Sequence, residues 1–100
     1  MIYFTQLIYI KPGKEAAFHQ FEDIALSLLE KHNGKLLLRC RPDAASFIET
    51  NYGKPYEIHL VSFESPEDFK NFASNPARQS HLHLKEESVE RSVLIEGRML

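Results

Sequence analysis

The sequence predicts an α+β domain in which a four-stranded antiparallel sheet carries its helices on one face. Three observations lead there. Period-2 and period-3.6 apolar runs follow one another in the order β-α-β-β-α-β, the split βαβ or ferredoxin-like pattern. A chain of 100 residues is the size of one domain, spanning 1–100. And Tyr56 to Pro76 reads without interruption as a strand, a short turn and a capped helix, a unit around which the other elements can be placed.

The elements follow in order. Ile2 to Ile10 is a strand by composition, with Ile2, Phe4, Gln6, Ile8 and Ile10 on one face and Tyr3, Thr5, Leu7 and Tyr9 on the other. Lys11-Pro12-Gly13 breaks it. Lys14 to His32 is a helix: Ala17, Phe18, Phe21, Ile24, Ala25, Leu28 and Leu29 recur at three- and four-residue spacing. Glu15 near its start and Lys31 and His32 near its end suit the helix dipole, and Asn33-Gly34 supplies a left-handed stop. Lys35 to Arg41 is the second strand, with Leu36, Leu38 and Cys40 expected on one face and Leu37, Arg39 and Arg41 on the other. Residues 42–55 read as a loop, in which Phe47-Ile48-Glu49 has the composition for local strand pairing. In Tyr56 to Phe63, alternation separates Tyr56, Ile58, Leu60 and Ser62 from Glu57, His59, Val61 and Phe63. Ser65 is an N-cap with Pro66 at the first helical position and Glu67 and Asp68 in the first turn. Asn75-Pro76 ends that helix and suits the start of a second short one. Ala77 to Glu87 is a weak helix, and Ser92 to Glu96 the last strand.

Composition bounds the function. A net charge of -2 gives no electrostatic case for nucleic acid or an anionic membrane. The apolar start is too short to span a bilayer and has no basic flank, so neither membrane insertion nor a signal peptide is expected. A single cysteine, Cys40, excludes an internal disulfide and points to a reducing, cytoplasmic setting. Beside Leu38, Cys40 reads as a small buried hydrophobe. No phosphate loop, nucleophile elbow or dinucleotide fingerprint is present, and no cofactor is expected.

Four strands spaced about 4.8 Å apart make a sheet about 19 Å wide, and two helices cover one side of it. Both strand faces carry large apolar groups: Phe4, Ile8, Ile58 and Leu60 against Leu7, Tyr9, Val61 and Phe63. The uncovered side would exceed the apolar patch a soluble monomer usually shows, so a homodimer packed sheet face on sheet face is expected.

Glu30-Lys31-His32-Asn33-Gly34-Lys35-Leu36-Leu37-Leu38-Arg39 resembles the "EKHGGRYLVRG" junction of a widespread domain-of-unknown-function family. Phe63-Glu64-Ser65-Pro66, Phe69, Phe72, Asn75-Pro76, Leu82 and Leu84 are similar to its "F-x-S…A…F…S-P…L…L", and Val93 to Gly97 to its last strand. That family belongs to the dimeric α+β barrel superfamily, with the antibiotic-biosynthesis monooxygenases. The match spans most of the chain and consists largely of caps, core positions and breaks. It departs at Arg78, where an aromatic is common, and at Cys40-Arg41, where Gly-Gly is common. The resemblance implies an interior pocket for an apolar or aromatic carbonyl compound, with cofactor-free oxygenation or isomerisation as the chemistry, or a non-catalytic, ligand-binding or stress-related dimer.

His59 and Arg39 are the candidate catalytic residues. His59 lies mid-strand and projects into a covered face, as a general acid or base near neutral pH or as a hydrogen-bonded structural histidine. Arg39, at the family's arginine, either holds developing negative charge or pairs with Glu57 or Glu49. Tyr3, Thr5, Tyr9 and Glu57 are the candidate ligand-binding residues, the three hydroxyls completing a polar cluster if their face is that of His59. His81-Leu82-His83 diverges on a helix and lacks companions at ligand spacing, so no metal is expected. His19 and His32 fall near the polar side of the first helix and read as solvated.

Overall fold

The computed structural model describes residues 1–100. Four strands, β1 (Ile2–Ile10), β2 (Gly34–Cys40), β3 (Glu57–Phe63) and β4 (Val89–Gly97), pair antiparallel in the order β2-β3-β1-β4. This is the ferredoxin-like arrangement the element order predicts. Four helices lie against one face: α1 (Glu15–Ser27), α2 (Pro66–Ala73), α3 (Pro76–Ser80) and α4 (Leu82–Ser88). The resulting slab measures 36 × 36 × 16 Å, the depth of one sheet and one helical layer.

Register decides which side chains meet. Opposed residues on paired strands share a face, and β1–β3 pairing sets Phe4 opposite Val61, Gln6 opposite His59 and Ile8 opposite Glu57. The interior therefore takes Phe4, Gln6 and Ile8 with Glu57, His59, Val61 and Phe63. Leu7 and Tyr9 fall with Ile58 and Leu60 on the outer face, which reverses the expected cross-strand grouping. Within β2 the pairing slips between Leu36 and Leu38. This bulge puts Leu36 on the same side as Arg39 and Arg41, whereas Leu38 and Cys40 turn outward. Cys40 is exposed, contrary to its reading as a buried hydrophobe.

The first helix is shorter than its apolar pattern. It closes at Ser27, and after two residues a 3-10 turn, Glu30–His32, carries the chain to Asn33 in the left-handed region at φ 54°. Ser65 caps α2 as expected, its hydroxyl accepting from the Asp68 amide at 3.2 Å, and Asn75 caps α3 through the Ala77 amide at 2.8 Å. The weak final helix is two pieces, α3 and α4, hinged at His81. The loop of 42–55 holds a 3-10 turn at Ala44–Ser46 and no strand, so Phe47-Ile48-Glu49 pairs with nothing.

Phe4, Leu29 and Phe63 anchor one end of the interior, with Phe69 at 4.3 Å from the Phe4 ring and Phe72 at 5.4 Å from that of Phe63. Phe21, Ala25 and Leu84 join α1 to α4 at the other end. On the outer face, Tyr52 and Arg91 close over Tyr9, with the guanidinium 3.8 Å from its ring centre. Beyond that end the outer face has no cover, and Leu38 and Ile95 stand half-exposed on its two edge strands.

Candidate functional site

Between the aromatic anchor and α4 lies a cluster of charged side chains from five elements. β3 contributes Glu57 and His59, which alternation places on the interior face. β2 and the residue after it contribute Arg39 and Arg41. α1 contributes Glu22, α3 Arg78 and α4 Lys85. Glu57 is 0 % exposed, His59 2 % and Glu22 7 %. Three ionisable groups so fully removed from water need partners or altered protonation.

Glu57 is saturated. Arg39 Nε donates to its Oε2 at 3.0 Å, Arg41 Nε to its Oε1 at 2.7 Å, and His59 Nε2 is bonded to Oε2. Burial alone would raise the carboxyl, but the bonds from His59, Arg39 and Arg41 outweigh it and bring its pKa down to about 2. The Glu57 bond in turn holds the Arg41 guanidinium above its ordinary value. Because an ionised carboxylate only accepts, His59 Nε2 carries the proton in this bond. Glu22 Oε2 lies 3.8 Å from the same nitrogen. Burial pushes Glu22 up to about 7, against the opposing pull of His59. The pair of carboxyls is thus split: one is fixed as an anion, the other exchanges its proton near neutrality.

Beside this cluster is a cavity of about 80 Å³ between sheet and helices. Phe4, Phe18, Phe21 and Phe63 supply much of its wall. Gln6, Glu22, His59, Arg78 and Lys85 supply its principal polar groups. Burial lowers Lys85, and Arg78 nearby adds to the effect; burial lowers Arg78 too, with Glu22 opposing.

The sequence-derived candidates divide. His59 and Glu57 are in contact, and Arg39 takes the ion pair with Glu57 that was one of its two readings. Arg39 and Glu57 stand behind His59 rather than on the cavity wall. Tyr3, Thr5 and Tyr9 do not join them: since Gln6 is the residue opposite His59, the neighbours of Gln6 point to the outer face. His19 is half-buried, its Nε2 2.6 Å from the Tyr56 hydroxyl, and so is not simply solvated. His32 is also half-buried, its Nε2 3.0 Å from the Asn75 amide. His81 Nδ1 donates to the Ala77 carbonyl at 2.8 Å as a helix-end contact, and no third ligand-type residue joins it with His83.

Glu22 and Lys85 were not singled out from sequence, and Arg78 stood out there only as a departure from the resembled family's aromatic. Glu22 had a signal: four residues after Phe18 and three before Ala25, it occupies the apolar stripe itself. Glu22, Glu57 and His59 also place three ligand-type atoms within 4.8 Å of one another. A divalent cation there would have to displace the Arg39, Arg41 and His59 bonds to Glu57 and sit beside two guanidinium groups. The donor set fits a proton-exchanging cluster better than a metal centre.

No family model matches the chain, and no curated protein matches it. Solved structures do. A protein of unknown function from Rhodopseudomonas palustris, RPA0582, superposes with a TM-score of 0.84 at 16% identity, over 99% of this chain and 82% of that one. A nipsnap family protein with unknown function from Agrobacterium tumefaciens, Atu4242, gives 0.69 at 20% identity over 97% and 86%. A dimeric protein of unknown function and ferredoxin-like fold from Bacteroides fragilis gives 0.67 at 17% identity over 98% and 95%. At these identities the likeness establishes the ferredoxin-like fold and carries no activity.

Proposed function

We propose that the interior cavity binds a small, mainly apolar carbonyl compound and that His59, with Glu22 beside it, moves a proton on it. The carrying observation is the buried His59 on the wall of an apolar cavity, bonded to Glu57 behind it, with the Glu22 carboxyl of pKa about 7 at 3.8 Å. Glu57 fixes the imidazole tautomer; Glu22 accepts or returns the proton at neutral pH. Arg39 acts through Glu57 as a positioning residue. Proton abstraction next to a carbonyl gives isomerisation, and with dioxygen as co-substrate it gives cofactor-free oxygenation of the kind the antibiotic-biosynthesis monooxygenases suggest. The test is deuterium exchange at the α-carbon of phenylacetaldehyde, followed by proton NMR. Exchange above the buffer rate, falling by about 10²-fold or more in His59→Gln, is expected. Exchange at the buffer rate in the wild type overturns the catalytic reading.

A second reading is ligand binding without turnover; a cavity of 80 Å³, below the roughly 300 Å³ at which ligand pockets usually begin, counts against a large ligand on either reading. Native mass spectrometry showing a retained small molecule, together with exchange at the buffer rate, supports that reading. A homodimer through the outer sheet face belongs to both. Its support is the half-exposed Leu38 and Ile95 on a face without a covering element, and the dimeric state named for the Bacteroides fragilis structure. A dimer by sedimentation that dissociates on Leu38→Lys with Ile95→Lys is expected; a wild-type monomer at micromolar concentration refutes it. The exposed Cys40 thiol fits a reducing, cytoplasmic setting.

A further inference from the structure

Arg78 is held in an unusual way. Its guanidinium carbon lies over the rings of Phe21 and Phe72, 5.6 and 5.5 Å from their centres. Its Nη1 donates to the Ala73 carbonyl at 3.1 Å. Its Nε is buried and finds no acceptor, alone in that respect among the buried side-chain nitrogens and oxygens. The edge formed by Nε and Nη2 is therefore without a protein acceptor. That edge presents two parallel N–H bonds, the spacing that matches the two oxygens of a carboxylate. A buried donor left unpaired is unfavourable, so an acceptor supplied from outside would be favoured there.

The charge balance of the cavity points the same way. Arg78 and Lys85 are both on its wall, and Glu22 is the one acid among the lining residues. Glu57 is committed to Arg39, Arg41 and His59 and neutralises nothing on this side. With Glu22 titrating near 7, two cations face at most part of one negative charge. The apolar remainder of the wall excludes a heavily hydrated dianion such as phosphate and suits a monoanion with a hydrocarbon body.

We propose that the compound held in this cavity is a small apolar carboxylate, bound side-on by the Nε/Nη2 edge of Arg78 with Lys85 as the second cation. This rests on the pocket reading above and narrows its ligand from carbonyl compounds at large to small acids, their size limited by a cavity of about 80 Å³. Arg78 is then a specificity-determining contact on α3, aligned by Phe21 and Phe72, and His59 faces the body of the ligand rather than its charged end.

The test is NMR titration at pH 7.5 of pentanoate and benzoate against their neutral isosteres pentanamide and benzamide, on wild type, Arg78→Met and Lys85→Gln. The wild type is expected to bind the acids at least tenfold tighter than the amides. Arg78→Met keeps an unbranched stem beside Phe21 and Phe72 and is expected to erase that preference, lowering acid affinity at least tenfold more than amide affinity; Lys85→Gln reduces it in part. Amides binding as tightly as acids, or acid affinity unchanged in Arg78→Met, overturns the carboxylate assignment and leaves the pocket standing. Binding of neither class overturns both. If Arg78→Met does not fold, the acid-to-amide ratio of the wild type decides the matter without a variant.

Discussion

Glu22→Gln should stabilise the fold, and by an amount that grows with pH. In the folded chain the carboxyl is 7 % exposed and titrates near 7; unfolded, it returns to 4.5. A carboxyl whose pKa is raised by folding contributes stability below its unfolded value, and that stability is lost as pH rises through the folded one. At about 1.4 kcal/mol per pK, a carboxyl going from 4.5 to about 7 loses about 3 kcal/mol by pH 8. About 1 kcal/mol of this is already gone at pH 5, where the unfolded carboxyl has largely ionised. Glutamine has nearly the same shape and no titration. Urea unfolding of both proteins at pH 5, 6, 7 and 8 gives the difference directly, and groups common to both cancel. The advantage of Glu22→Gln should widen by about 2 kcal/mol across that range. A constant offset, or an advantage that narrows with pH, refutes the raised carboxyl and with it the assignment of Glu22 as a proton carrier.

Other expectations are simpler. Glu57, held down to about 2, contributes stability that is complete above 4.5 and is lost as pH falls toward 2; the wild-type urea midpoint should fall over that interval and that of Glu57→Gln should fall less. Ser65→Ala removes the hydroxyl that accepts from Asp68 and should cost about 1 kcal/mol in urea unfolding. In Gly34→Ala the new methyl would sit 2.8 Å from Phe63 Cε1 and 3.0 Å from the Leu29 carbonyl oxygen. Phe63 is packed on all sides and the carbonyl belongs to the backbone, so neither yields easily. A loss of about 1–3 kcal/mol is expected, and an unchanged melting temperature would show that the α1–β2 junction is looser than these contacts imply.

The strands, the main helices and the caps were legible because each has a local cause: alternation in β1 and β3, three- and four-residue spacing in α1, Ser65-Pro66 and Asn75-Pro76 at helix starts. The faces were not, because faces are fixed between strands. Leu36-Leu37-Leu38 is apolar at both parities, so a one-residue slip there costs no burial and leaves no mark in the sequence. The bulge at Leu37 takes that freedom and turns Leu38 and Cys40 outward while Leu36 goes in. Likewise, nothing local says that Gln6 rather than Thr5 stands opposite His59, and that single register choice removes Tyr3, Thr5 and Tyr9 from the site. Arg78 could be seen as a departure from a family's usual aromatic; its seat beside Phe21 and Phe72 depends on how α3 crosses α1 and α2.

The charged cluster makes little sense as a stabilising device. Buried ion pairs replaced by apolar residues of similar size are often neutral or more stable, so Glu57 with its two arginines is weak evidence of stability in itself. Glu22 is worse than neutral above pH 7, since it contributes a penalty of about 3 kcal/mol to a domain whose whole stability is of order 5–15 kcal/mol. Leucine or glutamine at that point of the α1 stripe would remove the penalty, and the stripe around it is already apolar. Arg78 repeats the pattern, its buried Nε a donor without an acceptor. Two unfavourable polar choices on the wall of one cavity, Glu22 and Arg78, support the proposed binding site over a purely structural core. His59, its tautomer fixed by Glu57, lies on the same wall and is the group that the proposed proton transfer requires there.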